Sequence, residues 1–191
     1  MKIRTLAESA IMIALATLLS VFAVYELPFG GSVTLFSQLP IIVIAYRYGI
    51  KQGLFTGFVM GILQMMLGAV NFSYVTGILA MVILAFSDYI VAFGVLGLSG
   101  IFRKCFNKPA LELALGAAVS SFLRYLCHII SGVTIWKGYA PETQGVLYYS
   151  VTYNGSYMIP ELIITVIGAV VVASSFDLLS PEIKVRKRNK K

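Results

Sequence analysis

The ionisable residues that fall inside the long apolar runs of this 191-residue chain are few enough to name. Asp88 sits near the middle of one run, and Arg124 and His128 share another. Glu161 lies in the last run and Glu8 in the first. A charge in hydrocarbon is costly and faces either a partner or a cavity. Arg124 and His128 are four residues apart, so a helix puts them on one face, which Ser121 and Ser131 extend. Two readings stay open on these residues alone. Asp88 and Arg124 could pair and tie two helices together, with His128 an interior imidazole. Alternatively, the group serves a ligand. The second reading gains from the nearby stretch between 136 and 157, which holds Trp136, Tyr139, Tyr148, Tyr149, Tyr153, Asn154 and Tyr157. An interfacial aromatic belt explains rings at membrane level. It explains neither Asn154 nor a buried acid and imidazole. Acid, imidazole, phenol and carboxamide offer directed hydrogen bonds, and Trp136 offers a face for stacking and for a cation. Small-ligand pockets are mostly apolar with a few convergent polar groups. A flat, positively charged heterocycle suits this set. An anion suits it less, because Arg124 is the one strong cation among these groups.

Other chemistries find little support. The chain contains no Gly-x-Ser-x-Gly elbow and no His-Glu-x-x-His zinc motif. It also lacks a Gly-x-x-x-x-Gly-Lys-Ser/Thr phosphate loop, so ATP-driven work would need partner subunits. Cys105, in a basic loop, and Cys127, inside a helix, form neither a disulfide framework nor a metal cluster. With one histidine and no evident nucleophile, the chain is expected not to be an enzyme and to need no cofactor. Intramembrane catalysis and an autonomous small-molecule carrier remain as rival classes.

The elements that must position these residues follow from composition. The chain is 59% hydrophobic and 12% charged, against about one quarter charged for soluble domains. Several apolar runs approach the roughly 20 residues that span a bilayer. Backbone in lipid must form helices or a closed barrel, and these runs are too continuous for a barrel's alternation. The expected fold class is therefore an all-α integral membrane protein of six transmembrane helices. They are expected at about 5–25, 34–49, 52–71, 76–101, 109–134 and 156–178, with Pro40 marking a break in the second. One substrate-binding domain then covers 1–180 and a basic tail covers 181–191. The first run resembles a signal peptide, but Glu8 falls early in it and no small-residue cleavage site follows, which favours a retained helix. No internal repeat of the kind seen in inverted-repeat carriers is evident. All of the 15 basic residues except Arg124 and Lys137 fall on one side of a six-helix arrangement. Positive charge marks the cytoplasmic side, so both termini are expected there and the aromatic stretch outside. The net charge of +7 reads as a topology signal and not as a nucleic-acid footprint, with a tail suited to anionic lipid. Ala10 and Ala14, four apart in helix 1, permit close helix approach, either to a partner or within the bundle.

The segments "HIISGVTIWKGYAPE" and "YYSVTYNGSYMIPELIIT" resemble the thiamine-specific S component of energy-coupling-factor (ECF) transporters. "SDYIVAFGVLGLSGIFRK", "ESAIMIALA" and "LPFGGSVTLFSQLPIIVIAYRYG" extend the resemblance from about residue 7 to 176. The resemblance implies a bacterial multi-pass cell-membrane subunit that binds thiamine from outside and delivers it with a transmembrane coupling subunit and two ATPases. An S component for another vitamin, or for a thiamine precursor, is the alternative. The family's binding acid falls on Asp88, followed by Tyr89. Its histidine falls on His128, its stacking tryptophan on Trp136, and its tyrosine and asparagine on Tyr149 and Asn154. Its helix 1 interface falls on Ala10 and Ala14. Some members carry a second tryptophan in the first outer loop, where this chain has Gly30-Gly31-Ser32. Some have glutamate where Asp88 stands. In the stretch "GAVNFSYVTG", Tyr74 is the candidate for a further tyrosine contact.

Overall fold

The structure is a computed structural model that describes residues 3–186. Lys2, Lys187, Arg188, Lys190 and Lys191, which contribute to the expected charge asymmetry and tail, lie outside the described residues. Helix α1 is Ile3–Val21, α2 Leu39–Tyr48 and α3 Ile50–Leu67. The helical run Ile78–Phe102 is α4, and α5 and α6 are Pro109–Thr134 and Val146–Ser175. All of these except α2 are long and apolar enough to cross a membrane.

The ten-residue α2 is the central post of the bundle: every residue from Leu39 to Arg47 is buried. A helix that is apolar all round is buried only among neighbours, and the longer helices supply them. It begins later than its apolar run suggests because the preceding residues form a hairpin. Strand β1 (Ala23–Glu26) pairs antiparallel with β2 (Ser32–Thr34). Its turn holds Phe29 at φ 66 and Gly30 at φ 93, and the glycine takes that conformation without strain. A second hairpin joins β3 (Phe176–Asp177) to β4 (Lys184–Val185) and straddles the boundary expected at residue 180.

Helix α3 carries Gly53, Gly57 and Gly61 at spacings of four, all buried. An added Cβ at Gly57 would fall 2.4 Å from the Phe93 carbonyl oxygen, and one at Gly61 would fall 2.7 Å from that of Tyr89. The backbones of α3 and α4 are therefore in direct contact, as small residues at this spacing allow in membranes. Ala10 and Ala14, by contrast, lie on the exposed face of α1, while Ser9, Ile13 and Ala16 face the bundle.

One end of the bundle is tied by Arg47. It donates to Glu8 Oε2 from Nε at 2.7 Å, and to the carbonyls of Leu178, Ser180 and Pro181 at 2.5, 2.8 and 3.0 Å. Tyr48 donates to the same Glu8 oxygen at 2.6 Å. Glu112, at the start of α5, accepts from Tyr46 Oη at 2.6 Å and from the Lys104 and Phe106 amides. We expect Arg47→Met to leave three carbonyls without their donor and Glu8 without its buried cation, and to destabilise by about 3 kcal/mol. A thermal melt of the purified protein in detergent checks this, and an unchanged midpoint would refute it.

Candidate functional site

The opposite end of the bundle holds a cavity of about 640 Å³. Asp88, Tyr89, His128, Trp136, Tyr149 and Asn154 all line it. Four elements deliver them, so the grouping is a product of the fold and not of sequence proximity.

Asp88 and Tyr89 sit in a π-helical stretch of α4, Ala85–Val91. Such widened turns are rare and concentrate at functional sites. Asp88 Oδ2 accepts from Ser131 Oγ at 2.8 Å and from Trp136 Nε1 at 3.1 Å. Its Oδ1 lies 3.2 Å from His128 Nδ1, a close approach that is not aligned as a hydrogen bond. Asp88 Oδ1 and His128 Nε2 are thus buried polar atoms with hydrogen-bonding capacity in hand. Buried groups in that condition call for an explanation, and a ligand with donors and acceptors provides one. The Asp88–Arg124 pair considered from the sequence does not form. Arg124 instead donates to Glu161 Oε2 at 2.9 Å and lies 4.5 Å over the Phe93 ring. The reason is reach across the bundle: α5 and α6 pack closely, and α6 brings Glu161 opposite Arg124.

Tyr89 Oη donates to the Gly68 carbonyl at 3.1 Å and accepts from Asn71 Nδ2 at 2.9 Å. Its ring stacks on Phe72. It therefore anchors the 3₁₀ stretch Ala69–Tyr74 beside the cavity. Asn154 is a joint between α5 and α6. Its Nδ2 donates to the Ser150 carbonyl at 2.9 Å and reaches the His128 carbonyl at 3.3 Å, while Oδ1 accepts from Tyr157 Oη at 2.7 Å.

These residues lie on helix because α6 starts at Val146, ten residues before the start expected from the sequence. Gly155 and the tyrosine cluster resemble a loop. Yet Ser150, Asn154, Tyr157 and Glu161 recur at spacings of four and three, and all are buried on one helical face. Trp136 and the Lys137–Tyr139 turn alone remain as connector beside the cavity.

Trp136 is surrounded by rings: Tyr139 at 5.6 Å, Phe29 at 6.2 Å and Tyr74 at 6.5 Å between centroids. Phe29 was not among the residues singled out from the sequence. It occupies the tip of the β1–β2 hairpin, next to Gly30 and Gly31. Its adjacency to Gly30-Gly31 was the available signal. Tyr149 stacks on Tyr153, and Tyr153 Oη donates to the Pro28 carbonyl, which fastens the hairpin to α6. The cavity thus has aromatic walls and an acid–imidazole pair. This arrangement can hold a flat cation by stacking while hydrogen-bonding its edge.

Residues 6–179 match the family described as Thiamine transporter protein (Thia_YuaJ). The Thiamine transporter ThiT of Bacillus subtilis (strain 168) is 36% identical over 173 residues, covering 85% of this chain and 86% of that protein. The Thiamine transporter ThiT of Lacticaseibacillus paracasei is 29% identical over 164 residues, covering 81% and 78%. The solved structure of ThiT from Listeria monocytogenes superposes with a TM-score of 0.74 at 24% identity, over 90% of this chain and 94% of that one. At that identity the last likeness speaks for the fold.

Proposed function

From the premise that the chain belongs to the thiamine transporter family, we propose that it binds thiamine in the cavity described above and serves as the S component of an ECF-type uptake system. It is a multi-pass protein of the cell membrane and a transporter, not an enzyme. The observation that carries the binding reading is the convergence of Asp88, His128 and Trp136 on one cavity with buried hydrogen-bonding capacity. Thiamine has a permanently positive thiazolium and a hydrogen-bonding aminopyrimidine. Asp88 bonds the aminopyrimidine and adds negative potential. Trp136 stacks. His128, Tyr149 and Asn154 complete the polar contacts, and Tyr89 contributes to the wall beside Asp88. Six passes leave both termini in the cytoplasm and the cavity near the outer face. Residues 1–180 form the substrate-binding domain, and 181–191 form a basic cytoplasmic tail. Ala10 and Ala14 meet a transmembrane coupling subunit, through which two ATPases supply the work of delivery; their exposure on α1 supports this.

Mass spectrometry of small molecules released from the purified protein tests the ligand. Thiamine at close to one per chain is the expected result, and calorimetric titration after its removal should recover the same stoichiometry. No thiamine by either method overturns the binding reading. Uptake into vesicles containing this chain alone would overturn the S-component reading and leave the binding reading standing.

A further inference from the structure

Arg124 presents a difficulty for a cavity that captures a cation, because it lines the cavity and carries a permanent positive charge. Glu161 answers it. Glu161 is 2% exposed and stands behind Arg124, outside the cavity lining. One of its oxygens accepts from Arg124 at 2.9 Å. The other accepts from Thr34 Oγ1 at 2.5 Å and from Ser37 Oγ at 3.3 Å. Both oxygens are thus held from two sides, by α5 and by the segment leading into α2. A buried ion pair of this kind adds little stability over apolar residues of similar volume, so its presence beside the cavity invites a functional account.

We propose that Glu161 is a specificity-determining residue. By neutralising Arg124 it leaves the carboxylates of Asp88 and Glu26, which also line the cavity, to set the sign of the potential there. The cavity then favours a cationic ligand over a phosphorylated form of the same molecule. Glu161 touches no ligand in this scheme and acts through Arg124. The inference rests on the thiamine-binding reading. A unit charge a few ångströms from a ligand charge, partly screened, is worth roughly tenfold or more in affinity.

The test is calorimetric titration of the full chain in detergent with thiamine and with thiamine monophosphate, read as the ratio of the two dissociation constants. In Glu161→Gln, Arg124 is unmasked, and the preference for thiamine should fall at least tenfold. In Arg124→Gln, the unopposed carboxylate of Glu161 should raise that preference. The Arg124→Gln/Glu161→Gln double variant should return the ratio to within about threefold of the unaltered chain. A purely structural role would weaken both ligands together and leave the ratio fixed in all three, which overturns the proposal. If Glu161→Gln does not fold, the single and double Arg124 variants carry the comparison, and equal ratios in those two overturn it. If the unaltered chain fails to bind thiamine, the binding reading itself has failed.

Discussion

Asp88→Asn is expected to weaken thiamine binding by at least a hundredfold, about 2.7 kcal/mol. The substitution keeps the shape and removes the charge. Ser131 and Trp136 both donate to Asp88 Oδ2, and His128 approaches Oδ1 at 3.2 Å. Charge-assisted hydrogen bonds are worth about 1.5–3 kcal/mol each. An asparagine amide would place an NH₂ against one of these donors and turn an attraction into a clash of like groups. The lost negative potential adds to this for a cation. Titration calorimetry measures the affinity, and a thermal melt without ligand confirms that the variant folds. Affinity within threefold of the unaltered chain would remove Asp88 from the site.

The larger effect on the protein itself should come from Gly57→Leu. The first added carbon would sit 2.4 Å from the Phe93 carbonyl oxygen, with the Gly94 backbone at 3.1 and 3.2 Å. A backbone carbonyl inside a helix cannot step aside cheaply, so α3 and α4 must separate. We expect a loss of more than 4 kcal/mol, the range reserved for overpacking that a core cannot absorb. Gly94→Ala is the matched control: it lies in the facing helix, and a carbon added there meets nothing within 4 Å. It should melt at or slightly above the unaltered midpoint, since alanine favours helix over glycine. Comparable losses in both variants would show that glycine content, and not the α3–α4 contact, is what matters. Gly61 continues this seam to the Tyr89 carbonyl. The depth at which Asp88 and Tyr89 meet α5 is therefore set by residues that have no side chain.

Asp88, His128, Asn154 and Trp136 of the candidate site were legible because each is an exception in its surroundings, whereas Tyr89 and Tyr149 were singled out only through the resemblance. An aspartate, a histidine and an asparagine within apolar helices announce themselves, and so does the chain's one tryptophan. Their partners were harder to read. Arg124 could face Asp88 or Glu161, and only the packing of α5 against α6 decides between them. The start of α6 was hidden by Gly155 and a run of tyrosines, although the spacing of Ser150, Asn154, Tyr157 and Glu161 was already helical. The glycine spacing in α3 was visible too, but spacing alone does not say which helix it meets. The π-helical stretch leaves no pattern of its own, because the same residues would also form a regular turn. The end of α2 was legible to within one residue, but its start was obscured by the apolar Leu35 and Phe36 before it.

The position of Arg124 also bears on how the membrane's electric field acts on binding. Arg124 lines the cavity, yet it lies ten residues from the end of α5 at Thr134. Ten helical residues rise about 15 Å, roughly half the hydrocarbon thickness. If the cavity opens to the outside, as proposed above, a cation that reaches the level of Arg124 has already fallen through part of the transmembrane voltage. A full crossing is worth about 2.3 kcal/mol per charge per 100 mV, so half of that, about 1 kcal/mol, would assist capture in an energised cell. The same voltage would be missing in detergent, and affinities measured there would understate the pull on the ligand by up to about fivefold.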